Sequence, residues 1–396
     1  MFCYIQSKCT LSERKKTMKY FWLRVCVCLG CCLSVNPLVA TEDDPELEHE
    51  CTSWLIFSDL TGNNTNILHK NRDSNERIIL PILSPSGGAH KWIALGSGAA
   101  NMGINDAGLA GVMNSGEKCI NHSNDPKKKS TPVILQEILE SCDTAAQAVN
   151  KMQQIIKARE YRHGQQKGSI FFFLDTKEGY ICEMTAKECI AQRFTRGFAV
   201  RANIWQNPGM QQYSRNSIKA YLNSSARAYI AISGLNKALD SHGKITLEDI
   251  FDLSRHWKMP EESPQKRSVC FNKTNSTSSL EIDRQFPGVL STGYFTVGHP
   301  RHTIYVPVPI CVRKLHPAMS NLKWSAAAWK RFDALKLEAP FPEEWQSFER
   351  NSLNKYRKAR EEARQLLVQG KKEEAVNLLN AAASAIWDEA AALLKL

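Results

Sequence analysis

Two extended segments around Cys51 place the strongest constraint on the fold of this chain. A strand-like run begins at Cys51, a turn-rich stretch covers residues 58–64, and the chain extends again over residues 65–73. Two such runs around a turn predict a β-hairpin. A hairpin brings its far ends together, so Lys70 and Asp73 are expected beside Cys51.

The fifty residues before Cys51 are typical of a removable leader. Basic residues precede an apolar run at 25–35 that is too short to span a bilayer. Residues 1–40 are therefore predicted to be a signal peptide, with Met18 as an alternative start. The acidic segment 41–50 is predicted to be a propeptide, and a flexible mature N-terminus is the alternative. These predictions imply a secreted or periplasmic protein.

Cleavage before Cys51 would place a thiol and a free α-amine on one residue. An α-amine has a pKa of about 7.7–8.0 and a thiol one of about 8.5, so the amine can accept the thiol proton near neutral pH. Such a residue can carry out amide chemistry by itself. A lipoprotein junction at Gly30-Cys31 is less favoured, because Cys28 stands where that motif has Leu.

Composition indicates a globular protein with a basic surface. Hydrophobic residues make up 43% of the chain and charged residues 23%, and the formal net charge is +11. A basic balance is compatible with nucleic acid or anionic lipid. The basic residues are scattered and no nucleic-acid motif is present, so a solvated face is the better interpretation. No nucleic-acid partner and no stable membrane span are expected, and self-association is left open.

Cysteine usage leaves two interpretations open. Seven of the 13 cysteines lie from Cys51 onward. One reactive thiol and six others fit either up to three disulfides in an oxidising compartment or six buried free thiols. No CxxC pair and no HExxH motif occurs in that part, and no phosphate loop or dinucleotide fingerprint is found. No metal or cofactor is therefore expected.

The pattern beyond the hairpin mixes strands with grouped helices, which favours a layered α+β fold over βαβ winding. Strands are predicted at Arg77–Leu83, Lys91–Leu95, Gly108–Met113, Ser169–Leu174, Gly179–Met184, Phe198–Ala202 and His302–Val308. Helices are predicted at Pro132–Glu160, Tyr213–Lys237 and Leu247–Trp257.

The C-terminal part changes character and becomes rich in Ala, Lys, Glu and Leu. Glu343–Gln369 and Lys371–Leu394 are predicted to form two helices that are broken at Gly370. We expect a helical hairpin that packs on the body of the protein or on a partner. The predicted domains are then residues 51–320 and a helical extension over residues 321–396.

Several motifs in order resemble one known family. Cys51-Thr52-Ser53, the hairpin and Lys70-Asn71-Arg72-Asp73 resemble the start of the choloylglycine hydrolase and penicillin acyltransferase superfamily of N-terminal nucleophile hydrolases, acyltransferase-like branch. The segment Gly103 to Asn114 resembles the family's strand–turn–strand that ends in an active-site Asn or Tyr. Later matches are Ala202-Asn203, Tyr213-Ser214-Arg215 and the segment from Thr274 to Tyr305, with Gly298-His299-Pro300.

This resemblance implies a four-layer αββα sandwich and a set of catalytic residues. Cys51 would be the nucleophile, and Asp73 would hold its amine. Lys70 would favour the thiolate, and many relatives carry Arg at this position. Asn203 and Asn114 would donate hydrogen bonds to the oxyanion. Arg215 would orient Asp73 or the substrate.

Each of these residues also has a structural alternative. For Cys51 the alternative is a buried cysteine or half of a disulfide, although its position after the predicted propeptide favours the nucleophile; for Asp73 it is a turn cap. The other four are common at turns and surfaces: Lys70, Asn114, Asn203 and Arg215. Glu50 stands where self-cleaving relatives often carry a small residue, so a separate protease is an alternative agent for the cut.

The leading functional hypothesis is a secreted cysteine N-terminal nucleophile hydrolase. It would cleave linear amide C–N bonds of small molecules, such as N-acyl amines or N-acyl amino acids, through an acyl-enzyme on Cys51. An acyltransferase or dipeptidase on the same scaffold is the second hypothesis. A secreted binding protein that has lost activity is the third.

Overall fold

The computed structural model describes residues 50–85, 88–259 and 267–396. The predicted signal peptide and nearly all of the predicted propeptide lie outside these residues. The strands are β1 Cys51–Ile56, β2 Thr65–Asp73, β3 Leu80–Leu83, β4 Trp92–Gly96, β5 Ala100–Asn105, β6 Ala110–Lys118, β7 Lys167–Leu174, β8 Gly179–Met184, β9 Cys189–Phe194, β10 Phe198–Arg201, β11 Thr274–Asp283, β12 Thr292–Val297 and β13 Val306–Pro309.

Long helices lie between groups of strands and at the C-terminal end, and several short ones lie in the connections. The helices are α1 Ser58–Thr61, α2 Thr131–Ser141, α3 Ala145–Lys157, α4 Pro208–Gln211, α5 Ile218–His242, α6 Leu247–Ser254, α7 Pro287–Leu290, α8 Pro317–Ser320, α9 Lys323–Leu335, α10 Glu343–Val368 and α11 Lys372–Leu394. In the described part of the chain, no helix is long and apolar enough to cross a membrane.

The strands form two antiparallel sheets, as expected for an α+β fold. One sheet has the order β10-β1-β2-β11-β12-β13, and the other runs from β3 to β9 in chain order. The predicted hairpin is present as β1 and β2, with Cys51 opposite Arg72 and Ser53 opposite Lys70. Neighbouring strands β10 and β11 then flank the hairpin and bring distant parts of the chain to it.

Side-chain alternation along β7 shows how the seven-stranded sheet is covered. Phe171 and Phe173 belong to a cluster with residues of α2 and α3. Ile170 and Phe172 belong to a second cluster, which contains residues of both sheets. Because successive strand residues point to opposite faces, this sheet is buried on both sides.

The C-terminal helices pack on the body of the protein. Trp345, Tyr356 and Leu379 belong to the same apolar cluster as the two sheets, and the Trp387 indole donates a hydrogen bond to Pro307 O at 2.8 Å. Between α10 and α11, Gly370 has a φ of +78°, a left-handed conformation that suits glycine at a helix end.

Two predicted helices start or break differently in the structure. The predicted Pro132–Glu160 helix is divided, because Thr144 caps α3 by accepting a hydrogen bond from Gln147 N. The helix predicted from Tyr213 begins at Ile218 instead, because the Ser217 side chain accepts a hydrogen bond from Ala220 N and caps α5. Because α5 begins after Arg215, this arginine is not part of the helix.

Strand predictions were less accurate at their ends and where polar residues interrupt the pattern. The predicted strands include neither β5 nor β9, and only the family resemblance of the segment from Gly103 implied a strand at β5. The predicted Arg77–Leu83 and His302–Val308 strands shorten to β3 and β13. Cys189–Phe194 forms a partly exposed edge strand with polar residues, so its apolar signal is weak.

Candidate active site

Cys51 is the first residue of β1, and the hairpin register places β2 beside it. It pairs with Arg72 and is buried, with 4% of its surface exposed. Its thiol is free, as are the other six cysteines of the described chain. The geometry brings together a thiol, the backbone nitrogen of the same residue and several charged groups at one end of the six-stranded sheet.

The nitrogen of Cys51 is held by Asn203. Cys51 N donates a hydrogen bond to Asn203 Oδ1 at 2.9 Å, and Asn203 Nδ2 donates to Ser115 O at 2.7 Å. Asn203 lies just beyond β10, the strand that pairs with β1. The structure therefore brings the predicted Asn203 to the site, where it contacts the nitrogen that cleavage would turn into an α-amine.

Asp73 lies at the end of β2, on the other side of the Glu50–Cys51 peptide bond. Asp73 N donates to Glu50 O at 2.9 Å, and Asp73 Oδ1 accepts from Thr274 Oγ1 at 2.6 Å. Asp73 Oδ2 lies 3.9 Å from Arg227 and has no hydrogen-bond partner among the described residues. Burial raises the pKa of Asp73 from 3.8 to about 7, although Arg227 and Thr274 oppose the shift.

This raised pKa predicts how the stability of the uncleaved chain depends on pH. Between about pH 4 and 7 the folded state keeps a proton on Asp73 that the unfolded state has lost, so the free energy of unfolding falls as pH rises. The reference protein carries Cys51→Ala, so that Glu50 stays attached. We expect Asp73→Asn in this protein to reduce the fall in the free energy of unfolding by about 1–3 kcal/mol. Urea unfolding at pH 4.5 and 7.5 measures it, and equal losses in both variants would contradict it.

Lys70 lies beside the Cys51 thiol. It is fully buried, and its Nζ donates to Met113 O. Burial lowers the pKa of Lys70, while the charge of the Cys51 thiolate and a hydrogen bond with it act in the opposite direction. The structure therefore brings the predicted Lys70 next to the Cys51 side chain.

Asn114 is close to the site, but its side chain is used within the protein. Its Oδ1 accepts from Ser53 Oγ at 2.7 Å, and its Nδ2 donates to the carbonyl oxygens of Arg201 and Ala202 at 3.3 and 3.1 Å. These hydrogen bonds connect β6 with β1 and with the end of β10. In this geometry Asn114 positions the strand that leads to Asn203, and its amide is not directed at the Cys51 thiol.

Arg215 is not brought into the site, contrary to the sequence prediction. It precedes the capped start of α5, is exposed, and donates from Nη1 to Ser214 O at 2.7 Å. The helix-borne arginine that contacts Cys51 is Arg227. Its Nη1 donates to Cys51 O at 2.7 Å and Thr52 Oγ1 at 3.0 Å.

Arg227 also connects the other parts of the site. Its Nη2 donates to Asn203 Oδ1 at 2.7 Å, and the side chain is fully buried. The sequence held a signal for it: Asn223 and Arg227 are polar residues four apart on the buried face of α5, otherwise lined by alanines such as Ala220 and Ala231. Buried polar residues on a small-residue helix face indicate a specific partner.

A cavity of about 360 Å³ opens beside Cys51. Its lining includes three residues with cationic side chains, Lys70, Arg72 and Arg162, and one carboxyl residue, Asp73. Arg72 Nη1 has no hydrogen-bond partner among the described residues, although Arg72 Nη2 pairs with Glu76 at 2.8 Å. Cationic groups therefore outnumber carboxyl groups in this lining. No group of three or more potential metal ligands occurs in residues 50–85, 88–259 and 267–396.

Comparison with known proteins gives matches in structure only. No family model matches the chain, and no curated protein matches it in sequence. One solved structure is penicillin V acylase from Agrobacterium tumefaciens, with 13% identity, a TM-score of 0.43 and coverage of 65% of this chain and 86% of that chain. Another is a variant of the conjugated bile acid hydrolase from Clostridium perfringens, with 10% identity, a TM-score of 0.46 and coverage of 66% and 92%.

A second mutant of the Clostridium perfringens conjugated bile acid hydrolase matches with 10% identity, a TM-score of 0.44 and coverage of 65% of this chain and 92% of that chain. At this level of identity the likeness bears on neither the substrate nor the activity of this chain.

Proposed function

We propose that this chain is the precursor of a secreted cysteine N-terminal nucleophile hydrolase that cleaves linear amide bonds of small molecules. The observation that carries the proposal is the set of contacts at the Glu50–Cys51 junction. The nitrogen of Cys51 is bound by Asn203, its carbonyl by Arg227, and its thiol lies beside Lys70. A cavity opens at the same residue.

We also propose a layer order for the fold and a processing route for the chain. The two buried sheets, with helices on their outer faces, form a four-layer αββα sandwich that carries the C-terminal helical hairpin as an extension from residue 321. Residues 1–40 direct secretion and residues 41–50 are a propeptide. Cleavage of the Glu50–Cys51 bond then creates the α-amine, whether the Cys51 thiol or a separate protease makes the cut.

In the processed enzyme the thiol and the α-amine of Cys51 act together. The amine accepts the thiol proton, and the thiolate, stabilised by Lys70, attacks the amide carbonyl carbon. The C–N bond then breaks, and the leaving amine takes the proton from the α-ammonium. Water adds to the thioester carbonyl, which releases the acid and restores the thiol.

The neighbouring residues fix the reacting groups. Asp73 Oδ2 has no hydrogen-bond partner among the described residues, and the Asp73 carboxylate stabilises the α-ammonium that forms during the reaction. Arg227 and Asn114 position Asn203, whose Oδ1 accepts from Cys51 N and whose Nδ2 donates to Ser115 O. The second N–H of this amide is the donor that we assign to the oxyanion. A single oxyanion donor is typically worth about 10²–10³ in rate.

A substrate panel tests this function. Processed protein should hydrolyse at least one class among N-acyl amines, N-acyl amino acids and dipeptides, with the free acid and amine as products. Adding an acceptor amine separates the acyltransferase alternative, because a new amide then replaces the acid. Absence of turnover across the panel, with Cys51 unreactive toward iodoacetamide, would leave only a binding protein.

A further inference from the structure

Glu50, the last residue before the nucleophile, has its carboxylate buried inside the protein. Only 4% of its surface is exposed. A buried carboxylate is costly unless it is paired and hydrogen-bonded. A propeptide residue that is simply discarded needs no such site, and an exposed position would serve it equally well.

Three residues hold this carboxylate. Asn223 Nδ2 lies 2.8 Å from both Glu50 oxygens. Arg227 Nη2 lies 3.4 Å from Oε1, and Arg267 Nη1 lies 3.4 Å from Oε2. Asn223 and Arg227 are neighbours on one face of α5, because they are four residues apart, and Arg267 comes from the segment before β11. All three are buried.

Cleavage removes the negative charge and leaves the three binding groups in place. Cleavage takes the Glu50 carboxylate away from Arg227 and Arg267, which lie 3.4 Å from its oxygens in the uncleaved chain. The new α-ammonium of Cys51 adds a further positive charge. Buried positive groups of this kind favour an anion in the position that Glu50 held.

This inference rests on the proposed function. In that function, Cys51 cleaves the Glu50–Cys51 peptide bond and the substrate amide bond by the same chemistry. If the Cys51 thiol attacks the Glu50 carbonyl, the peptide C–N bond breaks. The released nitrogen takes up the thiol proton, and the Glu50 acyl group remains on sulfur as a thioester. An amide substrate would form a thioester of the same kind. If its acyl group carries a carboxylate at the same distance from the carbonyl as in Glu50, that carboxylate would lie where the Glu50 carboxylate lies.

We propose that Asn223, Arg227 and Arg267 form an acyl-side carboxylate subsite in the mature enzyme. The preferred substrates are amides of ω-carboxy acyl groups with the carbonyl-to-carboxylate spacing of a glutamyl residue, as in a glutaryl amide. The subsite selects the acyl part of the substrate and leaves the amine part to the cavity lined by Arg72 and Arg162.

The test compares glutaryl and valeryl p-nitroanilide on the processed enzyme. The two substrates have the same leaving group and acyl chain length and differ in the terminal carboxylate. We expect kcat/KM to be about 30-fold higher for the glutaryl compound, as for a charged hydrogen-bonded pair. Arg267→Gln should reduce this ratio by about tenfold or more, while Arg215→Gln, which changes an exposed arginine, should keep it.

Equal kcat/KM values for the two substrates would overturn the subsite and leave amide hydrolysis by Cys51 intact. An Arg267→Gln enzyme that loses both activities in proportion would also overturn it, because the residue would then be structural. If neither anilide is cleaved, protection of Cys51 from iodoacetamide decides the matter. Glutarate should protect and pentanoate should not; equal protection, or none, would reject the subsite.

Discussion

Replacing Cys51 with Ala in the processed chain is expected to lower kcat/KM for amide hydrolysis by at least about 10⁴-fold. The variant keeps the α-amine, the Asn203 contact and the cavity, and loses only the sulfur atom that forms the thioester. Because the change removes a single buried sulfur atom and keeps the backbone contacts of Cys51, it should leave the fold unaltered. Steady-state hydrolysis of the best substrate in the panel measures the effect.

Two other variants sharpen this prediction. Cys311→Ala removes a half-buried thiol from the far end of the six-stranded sheet and should keep activity within about twofold. Cys51→Ser keeps a nucleophile next to the amine, but its hydroxyl is harder to deprotonate, so residual activity is expected. A processed Cys51→Ala enzyme with full activity would show that the chemistry lies elsewhere.

Arg227→Lys is expected to lower kcat/KM by about 10²-fold or more, whereas Arg215→Gln should stay within about twofold of the unchanged enzyme. The Arg227 guanidinium donates to Cys51 O, Thr52 Oγ1 and Asn203 Oδ1 at once. A lysine keeps the charge but lacks the planar fork that makes these bonds together. The nucleophile and Asn203 would then lose their relative position.

The melting temperature of each variant separates catalysis from stability. Arg227 is fully buried, so Arg227→Lys should lower the melting temperature, and activity is therefore compared well below it. The pair of variants also decides between the two arginines. A large loss in Arg215→Gln with little loss in Arg227→Lys would restore the sequence-based assignment and contradict the geometry described here.

The contrast between the two arginines shows what the sequence could and could not predict. The hairpin follows from local signals, so Cys51, Lys70 and Asp73 were placed together correctly. The position of Arg227 depends on where α5 begins, and a single cap at Ser217 moves that start beyond Arg215. Helix ends are the least certain part of a sequence reading, and here one such end decides which side chain reaches the nucleophile.

Asn203 and Glu50 illustrate a different limit. Asn203 was predicted from the short Ala202-Asn203 motif, but its contact with Cys51 N depends on strand pairing between β10 and β1, which are far apart in the chain. Glu50 looked like an unfavourable residue for cleavage. Its role becomes visible only when α5 and Arg267 close around its carboxylate, a contact across more than 170 residues that no local pattern encodes.

The most direct test of the account is the N-terminal residue of the mature protein and the state of its thiol. Secreted protein is treated with iodoacetamide, and its N-terminal peptide is sequenced by tandem mass spectrometry. We predict a chain that begins at Cys51, with the label on that residue and amide hydrolysis lost in proportion to labelling. An active mature chain that begins upstream, with Cys51 still in peptide linkage to Glu50, would contradict the account.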